Sequence, residues 1–316
     1  MIYLGIDTSA YTTSIALVDD NFNIIIDLRK VLQVKKGQKG LRQSEALFLH
    51  LKNLPFLFHE MPADILAKVK AIAVSAFPRN VEGSYMPVFN AGLSQARILS
   101  IYTATPLYLF SHQEGHIMAG LKRNQELLLK PEFIACHFSG GTSEVLIVRK
   151  AQKTVFAIDV AMTGSDLHAG QLVDRVAVAL GLPFPGGKHM EAIALSWGNK
   201  EIPVIPSAIK GDLFSFAGAE TRAKQLLNRG YANEAIACAV FRAIANTLEK
   251  CLLKVTAQSG IREVLLVGGV MANTLIRKRL INRLEHPAVG LKLYFAEPAL
   301  STDNAVGIAM LAAYLD

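Results

Sequence analysis

Twice along this chain a short apolar segment runs into a loop of small polar residues and comes straight out into a second apolar segment. Tyr3–Asp7, "TSAYTTS" and Ile15–Val18 make the first copy, and Phe133–Phe138, "SGGTSE" and Val145–Val148 make the second. Amphipathic helical sequence follows each copy, and then a strand of parallel type that ends in a turn, "VKAIAVSAFP" in the first half and "VLLVGGVMAN" in the second. A length of 316 residues suits two domains at roughly 100–200 residues each. The expectation is a duplicated α/β fold of two lobes, the first holding residues 1–107 with about 297–316 and the second residues 108–296. Gly/Ser/Thr loops at facing strand ends would make a cleft, where backbone N–H groups can come close to the oxygens of a phosphate.

The apolar share is 51% and the mean hydropathy +0.31, which raises the question of a membrane span. No apolar run reaches the ~18–20 residues that a spanning helix needs. Strands buried on both faces explain the composition instead, since they read as short continuous runs such as "VKAIAVS", "EVLLVGG" and "EFIACHF". The first strand is preceded by no basic stretch and no small-residue cleavage pattern, so no secretory leader is expected. Cys136, Cys238 and Cys251 lack metal or redox spacing and suit a reducing compartment, and a cytoplasmic location without membrane association is expected.

The formal charge is +7, with basic residues gathered around Arg29–Arg42, Lys122–Lys130 and Arg277–Arg283. Such clusters fit a nucleic-acid partner, because Lys and Arg release counterions from phosphates, but many basic proteins bind none. Helices are expected over Glu45–Phe58, Asn90–Ile101, Ala169–Leu180, Ala217–Asn228, Asn233–Gln258, Ala272–Leu284 and Asp303–Leu315, and long loops over Lys35–Gln43 and Leu182–Ser215.

Among residues that carry chemistry, "SHQEGHIMAG" sets His112 and His116 four apart, on one face if the segment is helical. Two imidazoles so placed can share a metal ion, or be two half-buried groups at a helix start. Gln113 follows His112, so the zinc-protease pattern, which needs Glu there, is not met. Asp303 in "LSTDNAVG" is a candidate third ligand, read as a carboxylate at a helix N-terminus, although spacing alone does not bring it near residue 112. Asp174 in "HAGQLVDRVA" either meets a ligand hydroxyl or lies on a solvated helix face. Gly186 and Gly187 in "PFPGGKHM" make a turn that can bring bare backbone beside a ligand, and Asn273 in "GGVMANTLIRKRL" can cap a helix and meet an adenine or ribose.

Taken in order, "LGIDTS", "HQEGH", "SGG", "AGQLVDR", "PFPGG", "FSFAG", "GGVMAN" and "STDNA" resemble the TsaD family, also called Kae or Gcp and formerly described as O-sialoglycoprotein endopeptidases of the M22 type. The resemblance spans nearly the whole chain. It implies a two-lobed fold of the actin, Hsp70 and sugar-kinase type, a duplicated RNase H-like architecture with an interlobe cleft. The activity it implies is transfer of the threonylcarbamoyl group from threonylcarbamoyl-AMP to N6 of the adenosine next to the tRNA anticodon. Carried over by position, His112, His116 and Asp303 would hold one divalent metal ion, iron or zinc. Ser139, Gly140 and Gly141 would hold the phosphate and acyl region of threonylcarbamoyl-AMP or another adenine nucleotide, and Asp174, Gly187 and Asn273 would contact the nucleotide. No catalytic side chain is assigned. The partners implied are tRNA, a TsaB-like protein and a TsaE-like ATPase, with a homo- or heterodimer left open.

The chain departs from the family pattern in four loops. Tyr11 and Thr12 stand where members carry an acidic pair, Thr142 replaces a His, Glu220 replaces a Lys, and "FPRNVEGSYMP" with Arg79 rewrites a Gly-rich segment. These changes leave two alternatives beside the transferase, a paralogue with the same cleft and another acceptor, and a non-catalytic regulatory partner of a TsaD- or TsaB-like protein.

Overall fold

The computed structural model describes residues 1–9, 11–33, 41–151, 154–198 and 200–316. Of the expected loop Lys35–Gln43, residues 35–40 lie outside them. The chain divides into two compact units, Met1–Arg123 with Ala151–Phe156 and Ala299–Asp316, and Asn124–Lys150 with Ala157–Pro298.

The first unit is built on a five-stranded sheet in the order β3-β2-β1-β4-β5, made of β1 (Ile2–Asp7), β2 (Thr12–Asp19), β3 (Ile24–Val31), β4 (Val69–Phe77) and β5 (Leu107–Ser111). β1 and β2 form the first hairpin, antiparallel from Ile2↔Asp19 to Asp7↔Ser14, and β4 and β5 add in parallel on the other side of β1. Its helices are α1 (Gln43–His59), α2 (Ala63–Leu66), α3 (Asn90–Thr103), α4 (His112–Leu121) and a C-terminal helix, Val306–Leu315. Successive side chains of a strand point to opposite faces, and β1 uses both. Leu4 and Ile6 join Ile15, Leu17, Ile72, Val74 and the α1 residues Leu54 and Leu57 in one apolar core. Tyr3, Gly5 and Asp7 face the other way. Tyr3 donates to Asp316 at 2.9 Å, and a methyl at Gly5 would fall 2.3 Å from the Ala305 carbonyl oxygen, so this face of β1 is the one the C-terminal segment covers.

The second unit carries a seven-stranded sheet in the order β12-β11-β6-β7-β8-β10-β9. Its strands are β6 (Glu132–Phe138), β7 (Ser143–Lys150), β8 (Phe156–Gly164), β9 (Ala208–Lys210), β10 (Leu213–Ser215), β11 (Glu263–Val267) and β12 (Lys292–Phe295). β6 and β7 form the second hairpin, and β11 and β12 add in parallel beside β6. The order β8-β7-β6-β11-β12 thus repeats β3-β2-β1-β4-β5, the duplication that the two hairpin segments predict. The helices are α5 (Ala169–Ala179), α6 (Gly187–Ser196), α7 (Ala217–Asn228), α8 (Asn233–Ser259) and α9 (Thr274–Leu284).

Two sequence expectations are corrected. The segment Leu182–Ser215 is not one long loop: it holds α6, β9 and β10, because Met190 and Ala194, four apart, give α6 a buried face behind its prolines and glycines. The C-terminal helix begins at Val306 rather than Asp303, because Asn304 supplies the acceptor at its start, its Oδ1 taking the N–H groups of Val306 and Gly307 at 3.0 and 3.3 Å. Asp303 therefore lies in the turn before the helix. Among the described residues, no helix is long and apolar enough to cross a membrane.

Candidate metal centre and glycine loops

Ser111 sets where α4 begins. Its Oγ accepts the N–H of Glu114 at 3.1 Å while the Glu114 carboxylate accepts the N–H of Ser111 at 2.8 Å, a reciprocal cap that makes His112 the first helical residue. His116 follows one turn later on the same face. Their rings meet edge to face with Nε2 atoms 3.0 Å apart.

Asp303 reaches this pair because the C-terminal helix crosses α4 at two glycines. A methyl at Gly307 would fall 1.9 Å from the Gly115 carbonyl oxygen, so only hydrogen fits there, and one at Gly115 would fall 2.8 Å from Ile308 Cδ1, which would have to move aside. The turn ahead of the helix is tied down separately. Arg29, itself gripped by Asp27, donates to the Ala299 carbonyl at 2.8 Å and to Thr302 Oγ1 at 3.3 Å. The Ala305 N–H donates to Ser14 Oγ at 2.8 Å. Asp303 Oδ1 then stands 3.4 Å from His116 Nε2 and 3.6 Å from His112 Nε2.

Two nitrogens and one oxygen, mutually within 4.8 Å, form a donor set for a metal ion. Ligand atoms on a tetrahedral ion with bonds of about 2.0–2.2 Å stand roughly 3.3 Å from one another. The separations of 3.0, 3.4 and 3.6 Å bracket that value, so the residues fit a single divalent cation. Burial alone would pull the His112 imidazole down, but the carboxylates of Asp7 and then Asp303 more than offset it and hold the group above its ordinary value. His116 is shifted down, by burial and by the neighbouring His112, with Asp303 opposing. Burial also raises the Glu114 carboxyl despite its bonds from Ser111.

In the second unit, the expected nucleotide residues lie on the loop after β6 (Ser139, Gly140, Gly141), within α5 (Asp174), at the start of α6 (Gly187) and at the cap of α9 (Asn273). Ser139 follows β6 and folds a tight turn, its N–H donating to the Thr142 carbonyl at 2.8 Å and its Oγ accepting from Gly141 and Thr142 at 3.2 and 3.1 Å. The turn rests on the start of α5, where a methyl at Gly170 would fall 2.6 Å from the Gly140 nitrogen. One turn further along α5, Asp174 Oδ1 accepts the Gly186 N–H at 2.8 Å, and burial raises its carboxyl in spite of that bond. This fixes the Gly186–Gly187 turn against α5 and leaves Asp174 half-buried. After β11, Gly268 adopts φ +96° against Phe138, whose carbonyl oxygen would be 2.3 Å from any methyl there. That contact brings the "GGVMAN" segment beside the Ser139 turn. Asn273 is buried and caps α9, its Oδ1 accepting from Ile276 at 3.0 Å.

The departures from the family pattern also have places. Thr12 is buried within β2, opposite Val31, and Tyr11 is exposed with its carbonyl bonded to the Leu32 N–H. The Arg79 N–H donates to Ser84 Oγ at 3.0 Å. Glu220 is paired with Arg175 at 3.2 Å and Lys224 at 2.6 Å. Two structural groups escape the sequence reading. Asp7 touches His112, and Asp166 gathers the Phe216 and Ala217 N–H groups at 3.0 and 3.3 Å. An acid at the C-terminal end of the first strand is a legible signal for the first; nothing local announces the second.

The chain matches the family model described as "TsaD: tRNA N6-adenosine threonylcarbamoyltransferase" over residues 31–310. It is 29% identical to the tRNA N6-adenosine threonylcarbamoyltransferase of Thermotoga neapolitana, covering 98% of this chain and 92% of the relative. Identity to the enzyme of that name from Thermus thermophilus is 30%, over 99% of this chain and 92% of the relative. In fold it resembles component A of (R)-2-hydroxyglutaryl-CoA dehydratase from Acidaminococcus fermentans, with a TM-score of 0.58 at 15% identity over 100% of this chain and 98% of that one. It also resembles a ROK family glucokinase from Streptomyces griseus, with a TM-score of 0.54 at 11% identity over 98% of this chain and 99% of that one. These last likenesses fix the fold as the actin-like and sugar-kinase type.

Proposed function

The chain belongs to the family of tRNA N6-adenosine threonylcarbamoyltransferases, and we propose that it transfers a threonylcarbamoyl group from threonylcarbamoyl-AMP to N6 of the adenosine next to the anticodon of tRNA. The observation that carries this reading is the convergence of His112, His116 and Asp303 in a chain that matches the family model over residues 31–310.

His112 and His116 through Nε2, and Asp303 through its carboxylate, would hold one divalent ion, iron or zinc; two imidazoles and a carboxylate suit either. Bound there, the ion supplies Lewis acidity for an acyl carbonyl and its developing negative charge. The Ser139–Gly140–Gly141 turn, whose Ser139 and Gly141 N–H groups bond within it, would bring the Gly140 N–H and the Ser139 hydroxyl proton to the phosphate and acyl region, and Asp174, Gly187 and Asn273 would serve the ribose and adenine. In the transfer, the N6 lone pair forms the new C–N bond at the carbamoyl carbon, the bond from that carbon to the AMP oxygen breaks, and N6 loses a proton. AMP is a good leaving group, so the protein's task is to position the reactants and stabilise charge, and no side chain is assigned as a general base. A TsaB-like protein and a TsaE-like ATPase are the partners of this reading, which places the reaction in the cytoplasm.

The test is transfer to an ANN-decoding tRNA by the purified chain with a threonylcarbamoyl-adenylate source and both partners, the modified nucleoside being measured by mass spectrometry. Product that depends on this chain is expected. A complete mixture that yields none overturns the reading.

A further inference from the structure

We infer that Asp7 is a positioning residue of the metal centre: its carboxylate accepts the Nδ1 proton of His112 and so holds the ring with Nε2 turned toward His116 and Asp303. This rests on reading His112, His116 and Asp303 as the ligands of a divalent ion.

Asp7 ends β1, on the strand face shared with Tyr3 and Gly5, and is 1% exposed. Its two oxygens have separate tasks. Oδ1 accepts the Ser9 N–H at 2.9 Å, which fixes the carboxylate plane to the turn after the strand. Oδ2 lies 3.2 Å from His112 Nδ1. On the other edge of that ring, Nε2 is 3.0 Å from His116 Nε2 and 3.6 Å from Asp303 Oδ1. Phe89 stands edge-on to the imidazole, with ring centroids 6.3 Å apart at 68°, and limits its rotation from a third direction.

Only a nitrogen without a proton can bind a metal ion, and a neutral imidazole has one such nitrogen. An ionised carboxylate accepts hydrogen bonds and donates none, so its partner Nδ1 must carry the proton and Nε2 must carry the lone pair. Asp7 thereby selects the tautomer, fixes the ring orientation and makes Nε2 a better donor through its negative charge. Asp7 itself lies against the opposite edge of the ring from the three donor atoms, which separates it from the ligand set.

The test is zinc(II) calorimetry on the full chain with the wild type, Asp7→Ala and Asp7→Asn, together with ¹⁵N NMR of the His112 ring in the zinc-loaded proteins. Asp7→Asn keeps the shape and one neutral acceptor, and it carries the test if Asp7→Ala does not fold. The wild type is expected to bind one zinc with His112 as the Nδ1–H tautomer. Zinc affinity should fall about 10–100-fold in Asp7→Ala and by less in Asp7→Asn, with the Nδ1–H signature weakened in both. Wild-type affinity and an unchanged tautomer in both variants would overturn this inference alone. A wild type that takes up no zinc would overturn the metal reading and this inference with it.

Discussion

Asp166 carries more of the second unit's loop structure than its exposure suggests. Its carboxylate accepts from the Leu167, Phe216 and Ala217 N–H groups and from Ser215 Oγ, which ties the end of β8 to the start of α7. Burial pushes its carboxyl up, but these four donors together outweigh it, and the group is held below its ordinary value of 3.8. A depressed folded-state value means that the stabilisation is fully present above the unfolded value and is lost as the pH falls through the folded one. Asp166→Asn should therefore melt below the wild type at pH 7, with the gap closing as the pH drops below 3.8. Thermal unfolding across that range checks it, and a gap independent of pH would refute it. At this scale the sequence shows which residues are present better than what they touch. The four-residue spacing of His112 and His116 is visible in the string, whereas Asp303 is 187 positions beyond His116 and Asp166 meets donors about 50 residues away. Long-range contacts of this kind are set by topology, which no local pattern records.

Helix crossings place the metal centre. α4 and the C-terminal helix approach so closely that a methyl at Gly307 would strike the Gly115 carbonyl oxygen. Gly307→Ala should cost about 1–3 kcal/mol or more of stability through overpacking. It should also weaken metal binding, because it pushes Asp303 away from the imidazoles. Denaturant unfolding and zinc calorimetry on one sample measure both effects, and a variant equal to the wild type in both would contradict the crossing as the source of the site. α3, α5, α7 and α8 are legible from the sequence to within two residues, since each has a long amphipathic repeat. α6 is not: its ten residues begin at the second glycine of a Pro-Phe-Pro-Gly-Gly string that reads as a turn, and only Met190 and Ala194 are buried. The start of the C-terminal helix is misread by three residues for a related reason, since Asp303 and Asn304 are both good caps and only the fold decides that Asn304 serves.

Across the molecule, one arrangement appears twice: a hairpin-led sheet extended by two parallel strands, with the first unit carrying the His/His/Asp set and the second the glycine loops. That duplication is readable from the repeated strand, small loop and strand, because hairpins are local. Some residues of the basic clusters that would fit a nucleic-acid partner also make contacts within the protein. Lys130 pairs with Glu263, Arg283 with Glu249, and Arg277 lies over the Phe295 ring. The most direct test of the account is the metal content of the purified chain, by elemental analysis and calorimetry on the wild type, His116→Ala and Asp303→Ala. One divalent ion per wild-type chain, lost from both variants while their folds persist, is the predicted result. A wild type without metal, or variants that keep it, would contradict the assignment of His112, His116 and Asp303 as one metal centre.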